Sequence, residues 1–346
     1  MIGERHRGRR RRAALSRLPG RRTNLLLAVG LLLVLATVTG LVLDPLSQDG
    51  GAPAHPGQRG IGAAPGGEPD GAQGPPRRAI TPPTASPEPG PAPVAGFPNA
   101  SNTGWRHTGV ELTPYQGPEV IETPGTVIDG KDMGCIWIVV PDVTITRSRI
   151  RCDGYFPVRV DGAGSLTIED TEIDGLGSPD GSCVTSQNYV ARRVDCHGVG
   201  DGMYIAGNNV VIEDSYIHDL ASCGGCHTDS IQATGGENIL IRGNTIENAY
   251  EQTGVLKLGA EDGRLHDVLV EGNLLNGGGY TVYGGGTDGD VAGIRFVNNS
   301  FMRAPEGFFA QGGRWGPVAY FEPSLPGNEW RGNVWHDDGS PVEPAF

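Results

Sequence analysis

Hydrophobic and polar positions recur in one short pattern from about residue 97 to the end of the chain. Each copy reads apolar–x–apolar–x–x–polar–x–apolar, and the seven full copies occupy residues 143–150, 166–173, 189–196, 210–217, 239–246, 268–275 and 294–301. Their starts lie 23, 23, 21, 29, 29 and 26 residues apart, and a partial copy follows at 330–335. Short alternating strands at such a period, joined by Gly- and Asn-rich turns, are typical of a solenoid of stacked coils.

The polar position of the repeat forms a column through the eight copies: Ser148, Thr171, Val194, Ser215, Asn244, Asn273, Asn299 and Asn333. The positions on either side of this column are apolar in the seven full copies. Stacked Asn, Ser and Thr side chains can hydrogen-bond from coil to coil inside a turn. The column therefore predicts parallel strands that stack around a buried turn.

Over residues 97–346 the chain resembles the right-handed parallel β-helix proteins of the pectate-lyase-like superfamily. The asparagine column carries this resemblance, together with the run Asp229-Ser-Ile-Gln-Ala-Thr-Gly-Gly-Glu-Asn-Ile-Leu-Ile-Arg-Gly-Asn244. The resemblance implies an all-β fold, a single-stranded right-handed parallel β-helix. Lyases, epimerases, hydrolases and non-enzymes share such a fold, so the fold alone does not fix the function.

The N-terminal part of the chain has a different organisation. A basic segment, 1–22, holds nine arginines and one acidic residue, and a 19-residue apolar run from Leu25 to Leu43 follows it. The run is long enough to span a bilayer, and the arginines on its N-terminal flank predict a cytoplasmic N-terminus. We predict a signal anchor at 23–43, with the alternative of a cleaved signal peptide that leaves a secreted protein. Residues 44–96 are rich in Pro and Gly and are predicted to be a disordered linker to the extracellular domain, 97–346.

Composition narrows the partners of the domain. The chain carries a net charge of −13, and residues 97–346 alone hold 34 acidic and 15 basic residues. This balance argues against nucleic-acid binding, and the composition excludes a coiled coil or a helical bundle. Only two of the basic residues are lysines, Lys131 and Lys257. We expect a monomer whose partners are the membrane, through the N-terminal helix, and a polysaccharide or cell-envelope glycan.

Six cysteines lie between residues 135 and 226 of the domain. An even number in an exported domain favours disulfides over free thiols. Pairing sequence neighbours predicts the bridges Cys135–Cys152, Cys183–Cys196 and Cys223–Cys226. The Cys223-Gly-Gly-Cys226 run is also compatible with a redox or zinc site, but it lies in a Gly-rich turn without the βαβ context of a thioredoxin.

Each coil also carries a second predicted strand. The seven segments are 157–160, 183–186, 203–206, 229–233, 255–259, 280–284 and 308–311. If Met203, Ile231, Leu256 and Val282 point inward, strand alternation fixes the side chains that point outward. The predicted outer face carries Arg159, Tyr204, Ser230, Gln232, Lys257, Thr281 and Tyr283. Because successive coils are about 4.8 Å apart, Lys257 is predicted to lie between Gln232 and Tyr283.

Another outer column follows the last apolar position of each repeat: Arg151, Asp174, His197, His218, Glu247 and Asn276. It places the two histidines on adjacent coils with carboxylates on either side. The chain then enters the loops that lead to the second strands. We therefore predict one groove formed by His197, His218, His227, Asp201, Asp229, Tyr204, Lys257 and Tyr283.

One hypothesis is a polysaccharide lyase or C5-epimerase that acts on a uronic-acid polymer, as the resemblance to lyases of this fold implies. Such chemistry needs a base, a cation or hydrogen bond that stabilises the enolate, and an acid for the leaving oxygen. Lys257 or His227 is the candidate base, and Tyr283 or Tyr204 is the candidate acid. The candidate substrate-binding residues are Arg159, Gln232, His197 and His218, and the candidate ligands of a Ca²⁺ ion are Asp201, Asp229 and Glu247.

Two other hypotheses stay open. A glycoside hydrolase would use Asp201 and Asp229 as paired carboxylates, and the run His227-Thr-Asp-Ser230 resembles the Asn-Thr-Asp-Gly of polygalacturonases, although their later motifs are missing. A non-catalytic glycan-binding or surface scaffolding solenoid would need only aromatic and polar outer columns. Each residue also has a structural alternative, since aspartates form turns, histidines pair with carboxylates on a solvated surface, and tyrosines cover sheets.

Overall fold

The computed structural model describes residues 96–286 and 289–344. The predicted basic segment 1–22, the membrane helix 23–43 and the linker up to residue 95 lie outside the described residues. Across 96–286 and 289–344, the one helix is a short 3-10 turn, Arg106–Thr108. No helix in these ranges is apolar and long enough to cross a membrane.

Three parallel sheets form the walls of a β-helix, and each coil adds one strand to each sheet. Sheet I contains Val127–Asp129, Val143–Thr146, Leu166–Glu169, Tyr189–Arg192, Val210–Glu213, the second half of Ile231–Arg242, Leu265–Glu271, Val291–Val297 and Glu329–Arg331. Sheet II contains Thr113–Pro114, Lys131–Met133, Arg149–Arg151, the starts of Glu172–Ser186 and Asp195–Ala206, Tyr216–Ile217, Thr245–Asn248, Leu274–Gly277, Ser300–Phe301 and Val334–Trp335. Sheet III contains Val120–Ile121, Ile136–Ile138, Val158–Val160, the ends of Glu172–Ser186 and Asp195–Ala206, the start of Ile231–Arg242, Leu256–Leu258, Tyr280–Gly284 and Gly316–Ala319.

The core is the interior of this stack, and the apolar positions of the repeat fill it. Ile145, Ile168 and Ile212 of sheet I are fully buried, and so are Ile150 and Ile173 of sheet II. Every pairing between the named strands is parallel, so equivalent residues of successive coils lie beside each other. The alternating pattern of the sequence therefore predicts the fold correctly.

The predicted polar column lies in the corner between sheets I and II, and its side chains are buried. The Asn273 side chain accepts hydrogen bonds from the backbone N–H and the side-chain amide of Asn244, at 3.0 and 2.9 Å. Its own amide donates to Asn299 Oδ1 and to the carbonyl of Ile241, both at 2.9 Å. The preceding residue is left-handed, with φ of 65° at Gly272. The ladder thus satisfies backbone groups that cannot reach water in this corner.

Three disulfides join the predicted pairs, Cys135–Cys152, Cys183–Cys196 and Cys223–Cys226. Cys183 and Cys196 are fully buried within the core, where they bridge sheet III to sheet II. Cys152 is also buried, whereas Cys223 is exposed on a loop that leads into sheet III. The predicted pairing by sequence proximity is confirmed.

Residues 97–109, which we call the strap, run lengthwise over the outside of sheet II. The Phe97 ring contacts His336 of the last coil, with 6.0 Å between ring centroids. Further along, Gly104 donates its N–H to the carbonyl of Arg193, and Trp105 Nε1 donates to Glu172 at 2.7 Å. The strap therefore contacts residues that precede the predicted outer column, Glu172 and Arg193, rather than the column itself.

The strands after residue 300 differ from the prediction. The segment 308–311 was predicted to be the second strand of its coil, but it forms only isolated antiparallel bridges, at Phe309 and Gln311. Gly316–Ala319 takes its place and pairs with Tyr280–Gly284. The alternating pattern alone does not distinguish 308–311 from Gly316–Ala319, because both segments are short and lie near glycines.

We predict that Asn273→Ala destabilises the protein by roughly 2–4 kcal/mol, since it leaves the Asn244 N–H and the Ile241 carbonyl buried without partners. Thr167→Ala, on the outer surface of sheet I, is the control and should change the free energy of unfolding by less than about 0.5 kcal/mol. Urea unfolding followed by circular dichroism measures both. Equal losses in the two variants would show that the ladder does not stabilise the corner.

Candidate functional site

The outward side chains of sheet III form a continuous row, which we call the track. In order along the stack it contains Trp137, Arg159, Thr185, Tyr204, Gln232, Lys257, Tyr283 and Ala319. Lys257 pairs in register with Gln232 on one side and Tyr283 on the other, as predicted. Eight coils at about 4.8 Å make a row about 34 Å long, the length of several sugar units.

Two residues predicted to line this face are instead buried. Ser230 is fully buried and donates its hydroxyl to the carbonyl of Glu247 at 2.9 Å. Thr281 is fully buried, and its hydroxyl has no hydrogen-bond partner. Ser230 directly precedes its strand, where the chain still turns the corner into sheet III, whereas Thr281 lies within Tyr280–Gly284 and is approached by Gly312, where a Cβ would be 3.2 Å from its hydroxyl oxygen. Simple alternation therefore does not apply to them.

A pocket of ≈ 610 Å³ opens at Lys257. Lys257, Glu261, Tyr283 and Tyr320 supply its side-chain walls, and glycine backbone supplies much of the rest. Lys257 pairs with Glu261, and the rings of Tyr283 and Tyr320 stack with their centroids 6.0 Å apart. Gly254 makes room for the Tyr283 ring, because a Cβ there would lie 2.9 Å from Tyr283 Cδ2.

Two aspartates lie at the entrance to sheet III behind this pocket. Asp201 Oδ1 accepts the backbone N–H of Asp229 at 2.8 Å, and Asp229 Oδ1 accepts the N–H of Gly254 at 2.8 Å. Burial raises the pKa of Asp229 to about 7, against the hydrogen bond from Gly254, and the charge of Asp201 adds to the rise. Burial also raises the pKa of Asp201, while the charges of His227 and Lys257 oppose it. Asp201 and Asp229 therefore influence each other, and the charge of Lys257 acts on both.

The predicted acids and base differ in their access to solvent. His227 is exposed, whereas Asp229 is only 1 % exposed. Tyr283 is half-buried, and burial raises its pKa. Tyr204 lies two coils from Lys257 and its hydroxyl is 3.4 Å from Asp262 Oδ2. Lys257 and Tyr283 thus lie on adjacent coils at the pocket, whereas Tyr204 lies two coils from Lys257.

Arg159 and Gln232, two predicted substrate-binding residues, both lie on the track. Arg159 is exposed and stacks over the ring of Trp137 at 5.1 Å and over that of Phe156 at 5.5 Å. Tyr155, beside Phe156, is 64 % exposed. The end of the track away from Lys257 is therefore aromatic, and the charge of Arg159 there is paired with Asp161 at 2.6 Å.

The two other predicted substrate-binding residues lie on a different wall. His197 and His218 occupy adjacent coils on the outside of sheet II, with 5.3 Å between ring centroids. His218 Nε2 lies 2.8 Å from Asp195, and its Nδ1 lies 2.8 Å from Asp219. Burial opposes the charged form of His218, but these two carboxylates outweigh it and raise its pKa to about 9. His197 lies 3.4 Å from Glu172.

The prediction of one groove is wrong in this respect. Across 96–286 and 289–344, no hydrogen bond or ion pair joins His197 or His218 to Lys257 or Tyr283. Sheets II and III meet at a corner, so their outward side chains point in different directions. The histidines pair with carboxylates, which is the structural alternative that the sequence left open.

The three predicted calcium ligands do not form one group either. Glu247 lies on sheet II, where it accepts a hydrogen bond from Tyr216 at 3.0 Å and one from Asn276 at 3.1 Å. Asp201 and Asp229 lie around the corner, each already accepting a backbone N–H. No cluster of three or more His, Cys, Asp or Glu in the described part of the chain is arranged to hold a metal ion. These residues do not fit a calcium site.

Sequence reasoning missed several residues of both walls. Glu172, Asp195 and Tyr216 precede the predicted sheet II column by two positions, so the same alternation could have identified them. Burial would raise the pKa of Glu172, but hydrogen bonds from His197, Arg106 and Trp105 outweigh it and lower the pKa to about 2. Tyr320 gave no signal, because it lies beyond the end of its strand with φ of 57°.

Comparison with known proteins assigns the family. No curated protein and no solved structure gives a significant match to the chain. The family described as right handed beta helix region matches residues 107–314. The matched range covers more than half of the 346 residues and includes the coils that carry both outer walls. The chain therefore belongs to the right-handed β-helix family.

Proposed function

We propose that the chain is a carbohydrate-active protein, and that it acts on a uronic-acid polymer as a polysaccharide lyase or C5-epimerase. The observation that carries this proposal is the pairing of Lys257 with Tyr283 on adjacent coils at the mouth of the pocket. Paired in register on neighbouring strands, Lys257 and Tyr283 would present a cation and a phenol to the same region of a bound sugar. The resemblance to the pectate-lyase-like superfamily supports the same chemistry.

The residues take distinct roles in this proposal. Lys257 neutralises the uronate carboxylate and so stabilises the enolate that forms when the adjacent proton leaves. His227 is the base that takes this proton, and Tyr283 gives a proton to the leaving oxygen. In an epimerase Tyr283 would return a proton to the opposite face of the same carbon. Asp229 is too buried to touch a polymer, and we assign it and Asp201 to positioning and charge.

A polymer would lie along the track in this proposal. Gln232 and Tyr204 would contact sugars on one side of Lys257, and Arg159 would contact a more distant carboxylate. Aromatic rings near both ends of the track would stack against sugar rings. Trp137 is 38 % exposed, and Tyr320 is 60 % exposed. We derive no catalytic step through calcium, because the predicted ligands lie on two walls.

A non-catalytic glycan-binding solenoid is the second candidate. The specific observation in its favour is the set of large aromatic side chains left exposed near the track: Trp137, Tyr155, Trp315 and Tyr320. Such a protein would keep its function without a proton-transfer residue. The hydrolase hypothesis has less support, because Asp229 is buried and cannot reach a glycosidic oxygen.

We also propose that the protein is exported and held on the cell membrane by residues 23–43, with the β-helix outside. The three disulfides support export from the cytoplasm. Such bonds form and persist in oxidising compartments. A secreted form released by signal cleavage remains the alternative. In either form the domain would act as a monomer on cell-envelope or environmental glycans.

The proposed function predicts a measurable lyase activity. The full-length protein should release unsaturated uronate, detected by ultraviolet absorbance, from at least one of pectate, alginate or glucuronan. Lys257→Ala and Tyr283→Phe should each lower kcat/KM by about 10²–10⁴-fold, because each removes a group that acts in the transition state. The assay is run with added Ca²⁺ and with EDTA.

Two matched controls make this test specific. Lys131→Ala removes the only other lysine of the chain, which lies on sheet II. Tyr155→Phe removes an exposed phenol near Arg159. Neither should change kcat. An epimerase would give no unsaturated product but would exchange the C5 proton of the polymer with deuterated solvent, which NMR detects. If neither product nor exchange is seen while a polymer still binds, with affinity lost in Trp137→Ala or Tyr320→Ala, the binding solenoid replaces the enzyme.

The burial of Asp229 predicts that the stability of the protein depends on pH. Burial raises the pKa of Asp229 to about 7 in the folded state, so folding favours the neutral carboxyl group. The protein therefore loses stability as pH rises from about 4 to about 7, because the buried group must ionise. Asp229→Asn keeps an oxygen for the Gly254 N–H but does not ionise. The variant should therefore gain stability relative to the native protein between about pH 5 and about pH 8, by a few kcal/mol. Urea unfolding at both values measures this gain, and a constant difference would contradict it.

A further inference from the structure

The Cys223–Cys226 disulfide differs from the other two in the loop that it closes. Its cysteines are 3 residues apart, whereas the others are 13 and 17 residues apart. A disulfide restricts the unfolded chain less when its loop is short. This bond therefore adds less to the stability of the solenoid than the other two, and its presence calls for another explanation.

The bond also differs in its access to other molecules. Cys223 is exposed, and a Cβ added at Gly224 or Gly225 would meet no atom within 4 Å, so the loop tip stands in open space. Cys183 and Cys196 are 0 % exposed. The Cys135–Cys152 sulfurs lie under the backbone of Gly154, whose added Cβ would be 3.0–3.1 Å from both. Cys223 is thus the one exposed cysteine of the three bonds, since Cys135 is half-buried and the other bonded partners apart from Cys226 are buried.

The base of this loop is held independently of the disulfide. Thr228 Oγ1 donates to Ser222 Oγ at 3.1 Å, and the Thr228 N–H donates to Thr253 Oγ1 at 3.0 Å. The Asn248 side chain donates to the Thr228 carbonyl at 2.7 Å. Thr228 itself is fully buried. Opening the bond would therefore free residues 223–227 without disturbing the coil below.

We propose that Cys223 and Cys226 form a thiol–disulfide exchange site whose co-substrate is a dithiol. A thiolate of the dithiol attacks Sγ of Cys223, the Cys223–Cys226 bond breaks, and Cys226 leaves as a thiolate that takes up a proton. The second thiol of the dithiol then attacks the mixed disulfide and releases Cys223 as a thiol. Two electrons pass to the protein, and the dithiol becomes a disulfide.

This exchange would control the candidate site, a consequence that rests on the proposed function. His227 follows Cys226 directly, and its charge acts on Asp201, which in turn holds the N–H of Asp229. When the bond is closed, the short loop fixes where His227 stands. When the bond is open, His227 moves with residues 223–227, and the base is no longer held in one position relative to Asp201.

The test is a titration of the full-length protein with dithiothreitol, with free thiols trapped by alkylation and located by mass spectrometry. Two thiols, at Cys223 and Cys226, should form at a roughly tenfold lower dithiothreitol concentration than the other four, with the circular dichroism spectrum unchanged. Oxidised glutathione should restore the bond. The double variant Cys223→Ser/Cys226→Ser should lack the early step, and Cys135→Ser/Cys152→Ser should keep it.

The proposal is overturned if all three bonds open together, or if the early step unfolds the protein. A second measurement follows lyase activity in the fully oxidised and selectively reduced protein, with an expected loss of at least about tenfold on reduction. Unchanged activity would overturn the control of the site but not the exchange itself. Selective reduction in a protein with no lyase activity would contradict the proposed function and leave the exchange site standing.

Discussion

The corner between sheets I and II is the constraint on which the rest of the structure depends. The chain turns there in the interior, where backbone N–H groups have no access to water, and the Asn, Ser and Thr ladder supplies their partners. Each ladder residue bonds to the next coil, so it also fixes how each coil sits on its neighbour. A shift of one residue in any coil would break the ladder and turn the apolar side chains outward.

Because this corner fixes the register, the coils vary in length at the other two corners, between sheets II and III and between sheets III and I. The repeats that start at Val210 and Ile239 are 29 residues long, against 21 to 23 for the three before them. In the repeat that starts at Val210 the extra residues fall between sheets II and III, where they form the Cys223–Cys226 loop and precede Asp229. In the repeat that starts at Ile239 most of them fall between sheets III and I, where they include Glu261 of the pocket. The candidate site therefore lies where the coils lengthen, and the regular corner holds that site in place.

The success and failure of the sequence predictions follow this division. Alternation works within strands, so it placed Lys257 between Gln232 and Tyr283 and stacked His197 on His218. It fails at corners, where Ser230 turns inward and where two outer columns on different sheets were taken for one groove. Tyr320 reaches the pocket from outside the regular strands, and no pattern in the sequence marks such a position.

The net charge of the domain gives a poor guide to the field at the pocket. The count of acidic residues assumes that each carboxyl is ionised, yet burial keeps Asp229 partly neutral near pH 7. Many of the other carboxylates are held in ion pairs with arginine, as in Arg192 with Glu169 and Glu213, so they project less field. A neutral Asp229 leaves Lys257 with fewer opposing charges. The same burial that raises the pKa of Asp229 thus makes the pocket more favourable to an anionic sugar than the overall charge suggests.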